Sequence, residues 1–127
     1  MIYTTYFAKL RRLPPNIIPI SICGKAPDGY KGLQYKKLAP KYDFFVQYKE
    51  DGNEEHYVKC YAERVTGVLN AKEVVAELYE KLSEEDKGKD IALVCYEKPD
   101  AFCHRHLVAD WLNENGYECK EYEENMN

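Results

Sequence analysis

Cys95, Glu97, Cys103, His104 and Arg105 fall within eleven residues of one another, and each carries a group able to donate, accept or transfer. A thiol in the first turn of a helix feels the positive end of the helix dipole, and a neighbouring guanidinium adds to it; both favour the thiolate. Cys103 and Arg105 stand in that relation if a helix opens at Asp100. Cys103 is therefore expected as a thiolate or polar anchor, Arg105 as an anion contact, and Glu97 as an acid/base or hydrogen-bond acceptor. His104 and His106 add proton carriers or metal ligands. Cys103, Glu97 and His104 make up the expected catalytic set, with Cys95 and Arg105 as ligand contacts.

Spacing tests the familiar chemistries. A cysteine phosphatase wraps its phosphate between a cysteine and an arginine with five residues between them. Here nine residues separate Cys95 from Arg105, and Glu97 and Asp100 inside that loop would repel a phosphate. That chemistry is rejected. A redox pair prefers cysteines two residues apart, and that pattern is absent. Zinc could take Cys95, Cys103, a histidine and Cys23, but the spacing is not a recognised ligand pattern, and no metal is assigned.

Packing roles stay open beside each of these. A cysteine on a buried strand commonly serves as a small hydrophobe. Asp100 can be a helix cap, His106 and Asp110 an ordinary i,i+4 pair, and Arg105 a clamp docking its helix onto the last strand. Density favours function at this corner. Cys60 and Cys119 have no such company and are read as structural.

The elements that must position these residues follow from pattern. Ile2 to Tyr6 is a short β-prone run, followed by a helical turn over Phe7 to Leu13 that Pro14-Pro15 stops. Asn16 to Ile22 alternates as a strand, although Pro19 cannot donate to a sheet ladder. Cys23 to Pro40 carries three glycines and two prolines and reads as a long loop of the kind often used for function. It would bring Cys23, Tyr30 and Tyr35 to the ligand site. Tyr42 to Lys49 and Glu54 to Leu69 read as helices, separated by Asp51-Gly52-Asn53. The second has Tyr57, Val58, Tyr61, Val65 and Val68 at helical spacing. Asn70 to Glu73 fits a capping box for a third helix, with Val74, Val75, Leu78 and Leu82 as its buried face.

Ile91 to Tyr96 is apolar on both faces, as befits the middle of a covered parallel sheet. A final helix, capped by Asp100, runs to Asn115. Leu107, Val108, Trp111 and Leu112 form its stripe, and Gly116 ends it. Tyr117 to Tyr122 is the last strand. Strands separated by helices imply an α/β fold: a three-layer Rossmann-like sandwich with a small, mostly parallel sheet. No repeat or linker divides the chain, so residues 1–127 are expected to form one domain. Ligands in such sheets bind beyond the carboxyl ends of the strands, where Cys95 is expected.

The bulk numbers exclude several classes. The chain of 127 residues is 45% hydrophobic and 31% charged, a globular balance. Its formal charge of −4 gives no global reason to bind duplex DNA. Arg11, Arg12, Lys25, Lys31, Lys36 and Lys37 nevertheless cluster in the first third, while the acidic excess ends in Glu121, Glu123 and Glu124, read as a frayed tail. Twelve tyrosines suit a pocket or contact surface. There is no secretion-type leader and no membrane-length apolar run, and five cysteines with irregular spacing do not make a disulfide framework. The expectation is a cytoplasmic protein with reduced thiols.

The run Leu93-Val94-Cys95-Tyr96-Glu97-Lys98-Pro99, followed by Phe102-Cys103-His104-Arg105, resembles the signature of domain-of-unknown-function family 488: a strand ending in Cys-x-Glu and a helix opening with Cys-His-Arg. Ile2-Tyr3-Thr4-Thr5-Tyr6-Phe7 and Tyr35 to Pro40 resemble its shorter subgroup from bacterial and phage genomes. Many relatives carry Asp-Val-Arg at the end of the second strand, where this chain has Ser21-Ile22-Cys23. The resemblance spans nearly the whole chain and implies a Rossmann-like fold, but it brings no activity with it.

The leading expectation is a small-molecule or nucleotide-related site at the Cys95–Arg105 corner. A helix start offers free backbone N–H groups to a nucleotide, yet there is no glycine-rich phosphate loop, so no cofactor is assigned. The alternative is a non-catalytic module that binds nucleic acid or protein through the basic, tyrosine-rich first third. Salt dependence separates the two, because nucleic-acid binding weakens steeply as salt rises.

Overall fold

The computed structural model describes residues 1–124. Five strands, β1 (Ile2–Tyr6), β2 (Ile17–Ser21), β3 (Leu33–Gln34), β4 (Asp90–Cys95) and β5 (Cys119–Glu121), form one sheet in the order β3-β2-β4-β1-β5. Every pairing is parallel. The helices are α1 (Tyr42–Asp51), α2 (Glu54–Arg64), α3 (Ala71–Glu80) and α4 (His104–Glu114). This is a mixed α/β fold on a parallel sheet, consistent with a Rossmann-like arrangement. No helix among the described residues is long and apolar enough to cross a membrane.

β4 is central because its sequence is apolar on both faces. Ile91 through Cys95 are all fully buried, and burying each large side chain contributes about 1.5–3 kcal/mol. Ile91 and Leu93 join Ile20, Ile22 and Ile2 in a core that receives Phe44 of α1, Tyr57 and Tyr61 of α2, Val74 and Leu78 of α3, and Val108 and Leu112 of α4. All four helices thus feed one core on one face of the sheet. Of the expected three-layer sandwich, the structure supports the coarser description, helices packed on a parallel sheet.

Pro19 is tolerated for a local reason. β3 is only two residues long and pairs with Ile20 and Ser21, so beside Pro19 no further strand asks for its missing N–H. The expected long loop therefore contains a short strand and a 3-10 turn (Lys36–Leu38). The helix expected over Glu54 to Leu69 breaks at Val65, where ψ is −76° and a 3-10 turn takes over. Of its expected stripe, Tyr57, Tyr61 and Val65 are buried, whereas Val58 is 39% exposed and Val68 is 70% exposed.

The capping box expected at Asn70 is in place, and Asn53, expected only within a turn, caps α2 as well. Asn53 and Asn70 each accept a hydrogen bond from the backbone N–H three residues on, both at 3.1 Å. The last helix departs from expectation. Cys103, not Asp100, is its N-cap residue, with no side-chain cap, and Asp100 lies exposed in the preceding turn. The acidic end is tied down as far as Glu124, which pairs with Lys9 and Arg12 at 3.0 Å each. The remainder of the expected tail lies outside the described residues.

Candidate functional site

From β2 the chain moves outward to β3, and from the neighbouring β4 it moves the other way, toward β5. Such a reversal opens a crevice at the carboxyl edge of a parallel sheet. β4 delivers Cys95 to that edge, the segment after β2 delivers Ile22 and Cys23, and α4 starts above them. Ile22 N–H donates to the Val94 carbonyl at 3.1 Å, holding the two strand ends together. A cavity of about 460 Å³ opens here, lined by Cys23, Cys95, Cys103 and His104 at its base.

The corner brings Cys95 and Cys103, eight residues apart in sequence, into direct contact as a disulfide. This corrects two expectations, that the thiols are all reduced and that a pair needs the two-residue spacing. A strand end and the following helix start bring the sulfurs together through tertiary geometry instead. Cys23 completes a small cluster with them, backed by Phe7. Its thiol donates to the Val94 carbonyl at 3.8 Å, and burial pushes its pKa up to about 11, so it stays protonated.

His104 is buried, and its Nε2 lies 2.8 Å from the Ile22 carbonyl. A carbonyl only accepts, so Nε2 carries the proton and Nδ1 presents a bare lone pair. That Nδ1 faces Cys103 Sγ at 3.9 Å. Burial, with smaller contributions from Arg105 and His106, lowers the His104 pKa to about 4, so the ring is neutral at physiological pH.

Arg105 is fully buried and committed elsewhere. Its Nε and Nη2 donate to the two carboxylate oxygens of Glu121, at 3.0 Å each. Its Nη1 donates to the Glu97 carbonyl at 2.5 Å and to Cys95 Sγ at 3.2 Å. The guanidinium also stacks over the Tyr6 ring. The expected anion contact is therefore a clamp joining α4, β5 and the loop after β4. Glu97 itself is exposed and is among the residues lining the cavity.

Tyr30 and Tyr35 do not line the cavity. Tyr30 donates to the Leu33 carbonyl at 2.6 Å and packs edge-on against Phe7. Tyr35 is buried and donates to Glu77 of α3 at 2.6 Å; burial comes first among the causes that raise its pKa. The walls come instead from residues that the sequence reading did not single out as ligand contacts. Tyr48, Tyr57 and Phe102 form a ring cluster with centroids 5.0–5.4 Å apart. Phe45 and Lys49 of α1 stand beside it, with the ammonium 5.3 Å from the Phe45 ring centre. Tyr96 donates to the Lys25 carbonyl at 2.5 Å, closing the opposite wall. Spacing offered one signal: Phe45, Tyr48 and Lys49 recur at i, i+3 and i+4, one face of α1.

The family model DUF488-N3a, described as the Active DUF488-N3 subclade, matches residues 7–116. The chain belongs to the DUF488 family. The matched stretch of this DUF488 domain contains Cys23, Cys95, Cys103, His104 and Arg105, and it ends before β5. The carboxylate that grips Arg105 therefore lies outside the matched segment. Neither the curated proteins nor the solved structures include a match to this DUF488 chain.

Proposed function

We propose that the chain acts as one cytoplasmic domain that binds a small, planar, anionic molecule, of the nucleotide-related kind, in the cavity above Cys95 and Cys103. The observation that carries this is the composition of the cavity: aromatic rings on its walls, Lys25 and Lys49 among its lining residues, and two cysteines with a neutral histidine at its base. Flat rings suit a flat ligand, ammonium groups suit its anionic part, and convergent polar groups in an apolar pocket are the usual mark of a ligand site. Cys103 is the reactive thiol in this reading when the pair is reduced. The backbone of α4 lies behind it, and His104 Nδ1 faces its sulfur at 3.9 Å as a neutral hydrogen-bond acceptor. Glu97, at the cavity lining, is the acid/base or hydrogen-bond acceptor toward the ligand.

Adenosine monophosphate is a suitable probe, read by tyrosine fluorescence on the reduced, metal-free protein. Saturable binding that weakens in Lys49→Gln supports the reading. Absence of binding by adenosine monophosphate and by nicotinate, a smaller planar anion, would sink it. The reading of the basic first third as a nucleic-acid surface draws less support, because Arg12 is paired with Glu124 and Lys37 with Glu77.

A further inference from the structure

Cys95, Cys103 and His104 form a buried group whose donor atoms all lie within 4.8 Å of one another. From this group we infer that, with its two cysteines reduced, the domain holds a thiophilic divalent ion, of which Zn²⁺ is the natural example, on Cys95 Sγ, Cys103 Sγ and His104 Nδ1. The inference rests on the same cavity as the proposed function and names what sits at its base.

Three features carry it. The donor set is two thiolates and one imidazole, the soft combination that zinc selects. A tetrahedral ion with bonds of ~2.3 Å to sulfur and ~2.0 Å to nitrogen holds its donors roughly 3.5–3.8 Å apart; Cys103 Sγ and His104 Nδ1 already stand 3.9 Å apart, and the two sulfurs are free to move to that separation once the bond between them is broken. The Cα atoms of Cys95 and Cys103 are 7.3 Å apart, wider than the ~4.4–6.8 Å usual for a bridged pair, so once the pair is reduced the sulfurs can part to grip an ion without the backbone having to spread.

The groups that would orient these ligands are also in place. His104 donates Nε2–H to the Ile22 carbonyl at 2.8 Å, the contact that commonly fixes the tautomer of a metal-bound histidine. Arg105 Nη1 donates to Cys95 Sγ at 3.2 Å, and its own charge is balanced by Glu121. Cys23 points its thiol at the Val94 carbonyl instead and lies outside the donor group. The ion thus has three protein ligands and a fourth position facing the cavity, the arrangement of a site that works on a bound molecule rather than one that only staples a fold.

Loading requires the dithiol. Two molecules of a low-molecular-weight thiol supply two electrons and two protons to the Cys95–Cys103 bond and leave joined as their own disulfide. Binding of the ion then releases the two thiol protons. Oxidation of the pair removes both thiolates, so metal and disulfide exclude each other.

The test uses Co²⁺ on the full chain under anaerobic conditions, with and without a phosphine reductant. His56 and Cys60 are 3.4 Å apart on α2, so Cys60→Ser serves as background. The reduced protein is expected to bind one cobalt with thiolate-to-metal charge-transfer absorption. Cys95→Ser, Cys103→Ser and His104→Gln should each weaken binding at least tenfold, while Cys23→Ser should not. The unreduced protein should give no such spectrum. Because His104→Gln carries a folding risk, the cysteine variants and the reductant dependence decide the matter alone. No charge-transfer spectrum from the reduced protein, or one that survives both cysteine substitutions, would overturn the inference. Adenosine monophosphate binding by the metal-free protein is read separately. Cobalt without nucleotide supports the metal and sinks only the planar-anion reading; nucleotide without cobalt does the reverse.

Discussion

Arg105 of α4 and Glu121 of β5 meet through two parallel hydrogen bonds of 3.0 Å, with the guanidinium fully buried. The same carboxylate accepts from Thr4 Oγ1 of β1 at 2.7 Å. One ion pair thus ties the edge strand, its neighbour and the helix that carries Cys103 and His104. Arg105→Ala leaves that carboxylate without its cation and should cost about 3–5 kcal/mol, read from urea unfolding. Arg105→Lys should recover little, since an ammonium cannot make the two-pronged contact. A loss below about 1 kcal/mol would return Arg105 to the role of a ligand contact.

The lysines at the cavity should behave in the opposite way. Lys25 and Lys49 are exposed and pair with no carboxylate among the described residues. The double Lys→Gln variant should weaken binding of an anionic probe several-fold while stability stays within about 0.5 kcal/mol. Unchanged probe affinity would place the anion elsewhere.

His104 gives the apoprotein a pH dependence with a definite sign. Its folded pKa is lowered to about 4, below the ordinary histidine value near ~6.5. As pH falls through ~6.5 the unfolded chain takes up the proton first, so the contribution to stability is complete above that pH and drains away toward pH 4. By pH 5 the loss is on the order of 2 kcal/mol. Glu77, held down by Tyr35 and Lys37, and Glu124, held down by Arg12 and Lys9, add losses at lower pH in every variant. The informative comparison is therefore wild type against His104→Gln between pH 7 and pH 5. The variant should show the shallower slope; equal slopes would contradict a buried neutral ring.

Asp100 and Asn70 separate two caps that look alike in sequence. Asn70→Ala removes a side-chain acceptor from the Glu73 N–H and should cost about 1 kcal/mol. Asp100→Ala, in an exposed turn ahead of the actual cap, should change stability by less than about 0.5 kcal/mol. A larger effect at Asp100 than at Asn70, in thermal or urea unfolding, would restore the cap expected from sequence.

That contrast also marks how far the sequence carries. β4, the Asn70 cap and the corner near Cys95 were legible because periodicity, capping chemistry and apolar runs are local properties. The short strand Leu33–Gln34 was not, since two residues have no period of their own and take their strand character from Ser21 and Ile20 beside them. Density of reactive residues located the base of the cavity, yet its walls come from α1 and α2, and nothing local shows which helix will lie across a strand end. Arg105 illustrates the same limit. Its neighbours in sequence are histidines and cysteines, but its partner is sixteen residues away, and that pairing turns an expected ligand contact into a clamp.

The most direct test is the rate at which iodoacetamide alkylates each cysteine of the reduced, metal-free native protein, resolved by peptide mass spectrometry. Fast modification of Cys103, slowed by adenosine monophosphate, is expected, while Cys23 and Cys119, whose thiol pKa values burial pushes up to about 11 and about 12, react only on unfolding. If Cys103 also waits for unfolding, or reacts at a rate the nucleotide does not change, the thiol is a packing residue and the cavity above it is not its ligand site.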